Sequence, residues 1–111
     1  MPLYYRLESG EALHAYSPDT FEIPERAARE SLPVGSLVKL IFNFDQEGVE
    51  RMWVRVAHRQ GNGYGQGAYL GTLDSEPLCG LLQLGGAVSF RPEHIIEIWD
   101  DDDAPADGSA A

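Results

Sequence analysis

Two runs of alternating apolar residues, separated by a turn cluster, constrain this chain more than any other feature. Val38, Leu40, Phe42 and Phe44 alternate with Leu37, Lys39, Ile41 and Asn43. After Asp45-Gln46-Glu47-Gly48 the segment Glu50 to Arg59 alternates again, with Met52, Val54 and Val56 opposed to Arg51, Trp53, Arg55 and Ala57. A period of two marks strands that bury one face, so the pattern predicts a hairpin. Its register must bring both apolar sets to the same face, because a slip of one residue turns every side chain over. Setting Phe42 opposite Met52, Leu40 opposite Val54 and Val38 opposite Val56 satisfies this with a loop of Asp45 to Val49. The second face then sets Ile41 beside Trp53, Lys39 beside Arg55 and Asn43 beside Arg51.

Around the hairpin the signals are shorter. Met1 to Ser17 carries Tyr4, Tyr5 and Tyr16 without a clean period and reads as an irregular or short-strand lead-in. Pro24 to Ser31 reads as a short helix, with Pro24 in the first turn where a missing N–H costs nothing; Ala27, Ala28 and Leu32 would form its buried stripe. Gly61 to Gly67 is dense in residues that accept positive φ and reads as a loop before a strand from Ala68 to Asp74. Ala87 to Arg91 and Ile95 to Trp99 complete the strand candidates. After Trp99 only Asp, Ala, Gly, Ser and Pro follow, with no large apolar side chain to offset the entropy of ordering. Residues 1–99 are therefore expected to form one domain and residues 100–111 a disordered acidic tail.

Charge and cysteine content narrow the function classes. The net charge is -10, with 18 acids against 8 bases. Five of those acids (Asp100 to Asp103 and Asp107) lie in the tail, so the body keeps 13 acids and a net charge of -5. That balance disfavours binding to a phosphate backbone, which relies on clustered Lys and Arg, and nucleic acid is not an expected partner. No apolar stretch reaches the ~20 residues of a membrane helix, and the first residues resemble no leader. The single cysteine, Cys79, cannot form an internal disulfide. Cytoplasm is the expected compartment.

No catalytic or cofactor motif emerges. The glycine cluster lacks the Gly-Lys-Ser/Thr ending of a phosphate loop and precedes a strand pattern rather than a helix. Cys79, His58 and His94 have no ligand-type spacing, which favours a structural cysteine and surface or capping histidines; neither metal nor cofactor is expected. Consecutive aspartates in the tail do not space the oxygens of a calcium loop. What remains is the second hairpin face, Lys39, Arg51, Trp53 and Arg55. It suits a binding face in which Trp53 anchors a partner's acidic or aromatic group. The structural alternative, which carries more weight, packs Trp53 beneath the Pro24 helix beside Ile41.

The stretches Val34-Gly35-Ser36-Leu37-Val38-Lys39-Leu40-Ile41-Phe42, Glu50-Arg51-Met52-Trp53-Val54-Arg55-Val56, Gly71-Thr72-Leu73-Asp74-Ser75-Glu76-Pro77 and Val88-Ser89-Phe90-Arg91-Pro92-Glu93-His94-Ile95-Ile96 together resemble the bacterial family catalogued as Domain of Unknown Function 2314. The resemblance runs from about Thr20 to Trp99. It implies a shared fold and, since that family has no assigned activity, supplies no site residues.

The expectation is thus an α+β domain: a curved, mainly antiparallel sheet of about five strands, curved enough to close partly into a barrel, with one short helix. Its core should contain Val38, Leu40, Phe42, Met52, Val54, Val56, Leu73, Val88, Phe90 and Ile96. A non-catalytic binding or protein-interaction module leads, with another protein as partner and an undetermined oligomeric state. The rivals are an enzyme whose site is assembled from dispersed residues such as His94, Glu50, Arg51 and Asp74, and a small-ligand pocket at the mouth of the sheet.

Overall fold

In a computed structural model the described residues are 5–60, 68–75 and 82–99. The glycine-rich segment 61–67, Cys79 and the acidic segment 100–111 lie outside them. The chain forms an α+β fold: a curled antiparallel sheet, open like a half-barrel, with two short helices. The strands are β1 (Arg6–Leu7), β2 (Leu37–Asn43), β3 (Val49–Gln60), β4 (Ala68–Leu73), β5 (Ala87–Phe90) and β6 (Glu97–Ile98); the helices are α1 (Gly10–Tyr16) and α2 (Arg26–Glu30). Strands β1 to β5 follow one another in spatial order, and β6 pairs with the same edge of β2 that β1 occupies further along.

The β2–β3 hairpin forms as the alternation requires, but its register is two residues tighter than expected. Phe42 lies opposite Glu50, Leu40 opposite Met52 and Val38 opposite Val54. The cause is the turn: Asp45 and Gly48 take left-handed φ values of 59° and 102°, and the Phe44 N–H reaches the Gly48 carbonyl at 2.8 Å. Val49, assigned to the loop by the pattern, becomes the first residue of β3. A shift of two keeps each side chain on its face, so the core is unaffected: all ten residues expected there are buried. Ile95, fully enclosed, and Tyr69 join the core cluster, and Ile96 is buried where Gly10 approaches.

The lead-in is more ordered than its pattern suggested. Ser9 caps α1 by accepting the Ala12 N–H on its hydroxyl, and Gly10 sits where a Cβ would lie 2.9 Å from Ile96 Cγ2. Of the expected stripe of Ala27, Ala28 and Leu32, Leu32 is buried but Ala27 and Ala28 are exposed, and Arg29 turns inward in their place. Burying Arg29, only 4% exposed, is tolerable because its guanidinium has three acceptors from three segments: the Pro24 carbonyl at 2.8 Å, Glu11 at 2.7 Å and the Pro92 carbonyl at 3.0 Å. A buried charge that is paired and hydrogen-bonded escapes most of the desolvation penalty. Below it, the Tyr69 hydroxyl donates to the Arg29 carbonyl and accepts the Leu32 N–H, fastening α2 to β4.

Candidate functional site: an aromatic platform on the outer face

The corrected register decides which side chains meet outside the core. Lys39 faces Trp53, not Arg55; Ile41 faces Arg51; and Leu37 faces Arg55. Hydrogen-bonded and non-hydrogen-bonded pairs alternate along an antiparallel ladder. Because the Val56 N–H bonds the Ser36 carbonyl, Lys39 and Trp53 form a non-hydrogen-bonded pair, whose side chains stand closest. The Lys39 ammonium lies 4.9 Å from the centre of the Trp53 ring.

On its other side β2 receives β6, which extends the row: Glu97 lies opposite Lys39, with their charged groups 3.0 Å apart. One row across the outer face is therefore Glu97, Lys39, Trp53. The Trp99 N–H bonds the Leu37 carbonyl, giving a second row of Trp99, Leu37, Arg55. The two indoles meet edge to face, centroids 5.7 Å apart at 84°, an arrangement in which the positive ring edge addresses the negative face.

This geometry revises the expected placement of Trp53. It does not lie beneath α2 beside Ile41; it is half-buried, covered by Trp99 and Lys39. Ile41 is buried in its own right. The face is also less cationic than its composition suggested. Lys39 is matched by Glu97; Arg55 donates to the Gly35 carbonyl at 2.9 Å and lies 3.6 Å from Asp74; Arg51 stacks over Phe21, 5.6 Å from the ring centre. Lys39, Trp53 and Arg55 are thus gathered around Trp99, with Arg51 one row further along.

Trp99 is the residue that the sequence pattern left unmarked. It is 46% exposed and stands between two shallow grooves. One, of about 590 Å³, runs past Pro24, Leu32 and Ile98; the other, of about 510 Å³, runs past Val34, Leu37 and Arg55; Pro33, Ser36 and Trp99 belong to both. Val34, 63% exposed, adds apolar surface on the same loop. The signal available in the sequence was the parity of the final strand, which puts Glu97 and Trp99 on one side.

Two of the dispersed residues of the enzyme hypothesis, Asp74 and His94, are engaged at separate places with different partners. Asp74 is engaged with Arg55. His94 caps the one-turn 3₁₀ segment Pro92–His94: its Nδ1 accepts the Arg91 N–H at 3.0 Å, which puts the neutral ring's proton on Nε2, 3.6 Å from Glu93. Burial lowers the His94 pKa, aided by Arg91 and opposed by Glu93. Glu50 and Arg51 occupy the start of β3, opposite Phe42 and Ile41. Among the described residues no group of three or more His, Cys, Asp or Glu side chains is placed to hold a metal, and no helix is long and apolar enough to cross a membrane. Compared with known protein families, curated proteins and solved structures, the chain has no match.

Proposed function

We propose that this protein is a non-catalytic interaction module, that its partner is another protein, and that contact is made through the Trp53–Trp99 platform and the grooves beside Trp99. The observation that carries this reading is the half-exposed Trp99, packed edge to face with Trp53 between two shallow grooves, one of mixed and one of mainly polar lining. Tryptophan and arginine dominate the energetics of protein contacts when they sit in desolvating surroundings. Here Arg55 and Lys39 already have partners, so a ligand that covers them need not strand an unpaired charge. The occupant best suited to such a surface is an extended, largely apolar segment, with Pro33, Val34 and Trp99 as its walls. Membership of the family of unknown function that the sequence resembles is compatible with this role.

Selection of linear peptides from a displayed random library tests the reading. Peptides enriched on the wild-type protein should lose at least about tenfold in affinity for Trp99→Ala, a loss of about 1.4 kcal/mol or more, while that variant still melts cooperatively. Absence of enrichment, or peptides that bind Trp99→Ala equally well, would remove the platform from consideration.

A further inference from the structure

The two ends of the curled sheet face a common cleft of about 420 Å³, walled by Tyr5, Arg6 and Leu7 on one side and by Leu70, Ala87 and Ser89 on the other, with His94 also in its lining; the Arg6 guanidinium is already engaged by Asp45 at 2.8 Å. It shares no residue with the two grooves beside Trp99. Three features determine what belongs in it.

The first is hydrogen-bond phase. On β5 the register pairs Tyr69 with Phe90 and Gly71 with Val88, and the next pair in the same phase is closed by the Leu73 N–H on the Gly86 carbonyl at 2.8 Å. Alternation therefore turns the N–H and C=O of Ala87 and Ser89 away from β4. On β1 the Glu8 N–H bonds the Ile41 carbonyl at 3.0 Å, in phase with Arg6 opposite Asn43, so Leu7 and, one step beyond, Tyr5 turn their backbone groups away from β2. These four residues are all in the cleft lining, and among the described residues their outward backbone groups have no hydrogen-bond partner.

The second is direction. Each neighbour along β1-β2-β3-β4-β5 is antiparallel, so in this meander of odd strand number β1 and β5 run the same way. Direct closure would require a parallel ladder between two short strands. One additional strand, running against both, would instead pair antiparallel on each edge and close an even-numbered antiparallel barrel. The third is chemistry. The side chains of Tyr5 and Leu7 pack on the core and Leu70 is half-buried, so the walls are largely apolar.

We infer that the cleft is a strand-addition site: an extended, uncharged segment of a partner protein, apolar at every second residue, inserts antiparallel between β1 and β5 and completes the barrel. Main-chain hydrogen bonds supply affinity in this mode, and alternate side chains supply selectivity.

The test is amide hydrogen exchange on the full chain with an acetylated, amidated hexapeptide of alternating valine and threonine, and with the same peptide N-methylated at every second residue. The plain peptide should slow exchange at Tyr5, Leu7, Ala87 and Ser89 by about tenfold or more, while the methylated one, which cannot pair along one edge, should not. Leu70→Asp, verified as folded by its melting curve, should abolish the protection. Slow exchange at these amides in the free protein would show that the chain pairs its own edges. Protection that rises with protein concentration alone, with a doubling of mass, would make a second copy the occupant. Equal binding of the methylated peptide would make the cleft a side-chain pocket. Each of these results, or no protection by either peptide at millimolar concentration, overturns the inference.

Discussion

Replacing Tyr69 by Phe removes one oxygen atom and should cost far more than its size suggests. The hydroxyl is buried, on a residue 3% exposed, and makes two bonds: it donates to the Arg29 carbonyl at 2.8 Å and accepts the Leu32 N–H at 3.2 Å. In Tyr69→Phe the ring and its stacking on Phe90, 5.3 Å away, are retained, so no cavity of consequence opens. What is lost is the partner of two main-chain groups on residues that are themselves buried. Each orphaned group costs about 1–3 kcal/mol; with the longer bond counted at the low end, the sum is about 2–4 kcal/mol. For a domain near 100 residues this lowers the melting temperature by about 10–25 °C. Urea unfolding followed by circular dichroism measures it, with the m-value unchanged if only stability has moved. Tyr5→Phe is the internal comparison: its hydroxyl makes no hydrogen bond among the described residues, burial raises its pKa, and its removal should change stability by less than about 0.5 kcal/mol. A Tyr69→Phe protein that unfolds within about 0.5 kcal/mol of wild type would refute the claim that this hydroxyl fastens α2 to the sheet.

Three further outcomes are expected. Gly71→Ala would put a Cβ 2.6 Å from the Arg55 carbonyl oxygen and 2.6 Å from Val54 Cγ1; since backbone cannot yield as a side-chain tip does, a loss of about 2 kcal/mol or more should appear in denaturant unfolding. His94 has a folded pKa below its ordinary 6.5, so the unfolded chain binds the proton first as pH falls. Its contribution is fully present above about pH 6.5 and lost as pH drops through that value toward the folded pKa. His94→Asn, which keeps an acceptor for the Arg91 N–H, should flatten that part of the stability–pH curve relative to wild type. Trp53→Ala should cost about 2 kcal/mol and Trp99→Ala about 1 kcal/mol, in place of the 3–5 kcal/mol of a fully enclosed indole, as read by thermal melts of the two variants.

The strands of the hairpin were legible because seven and twelve residues carry enough alternation to expose the period. Helix α1 was not, because seven residues make barely two turns and its first residue is Gly10, a poor helix former chosen by the contact with Ile96 and the Ile95 carbonyl. Arg29 defeats pattern reading from the other side. Its type says surface, and only the convergence of Glu11, Pro24 and Pro92, distant in sequence, makes burial affordable. His94 was legible in kind, since capping is the role it takes.

The aromatic platform shows how far parity reaches and where it stops. A two-residue change of register leaves every face assignment intact, so Lys39, Arg51, Trp53 and Arg55 were correctly gathered on the outer side by alternation alone. Neighbour identity, however, depends on absolute register, and that is set by the left-handed Asp45 and Gly48 rather than by any apolar residue. With a five-residue loop, Lys39 would have faced Arg55 and like charges would have repelled. The tighter turn replaces that pair by Lys39 over Trp53 and leaves Arg55 free to approach Asp74 and Gly35. The third strand of the platform, β6, enters from nearly sixty residues away in sequence, its Lys39–Glu97 pair closing the row. An outer face on which Lys39 and Arg55 are paired with carboxylates and Trp53 meets Trp99 follows from the turn and the strand partner together; the local sequence around Trp53 specifies only the face on which it is built.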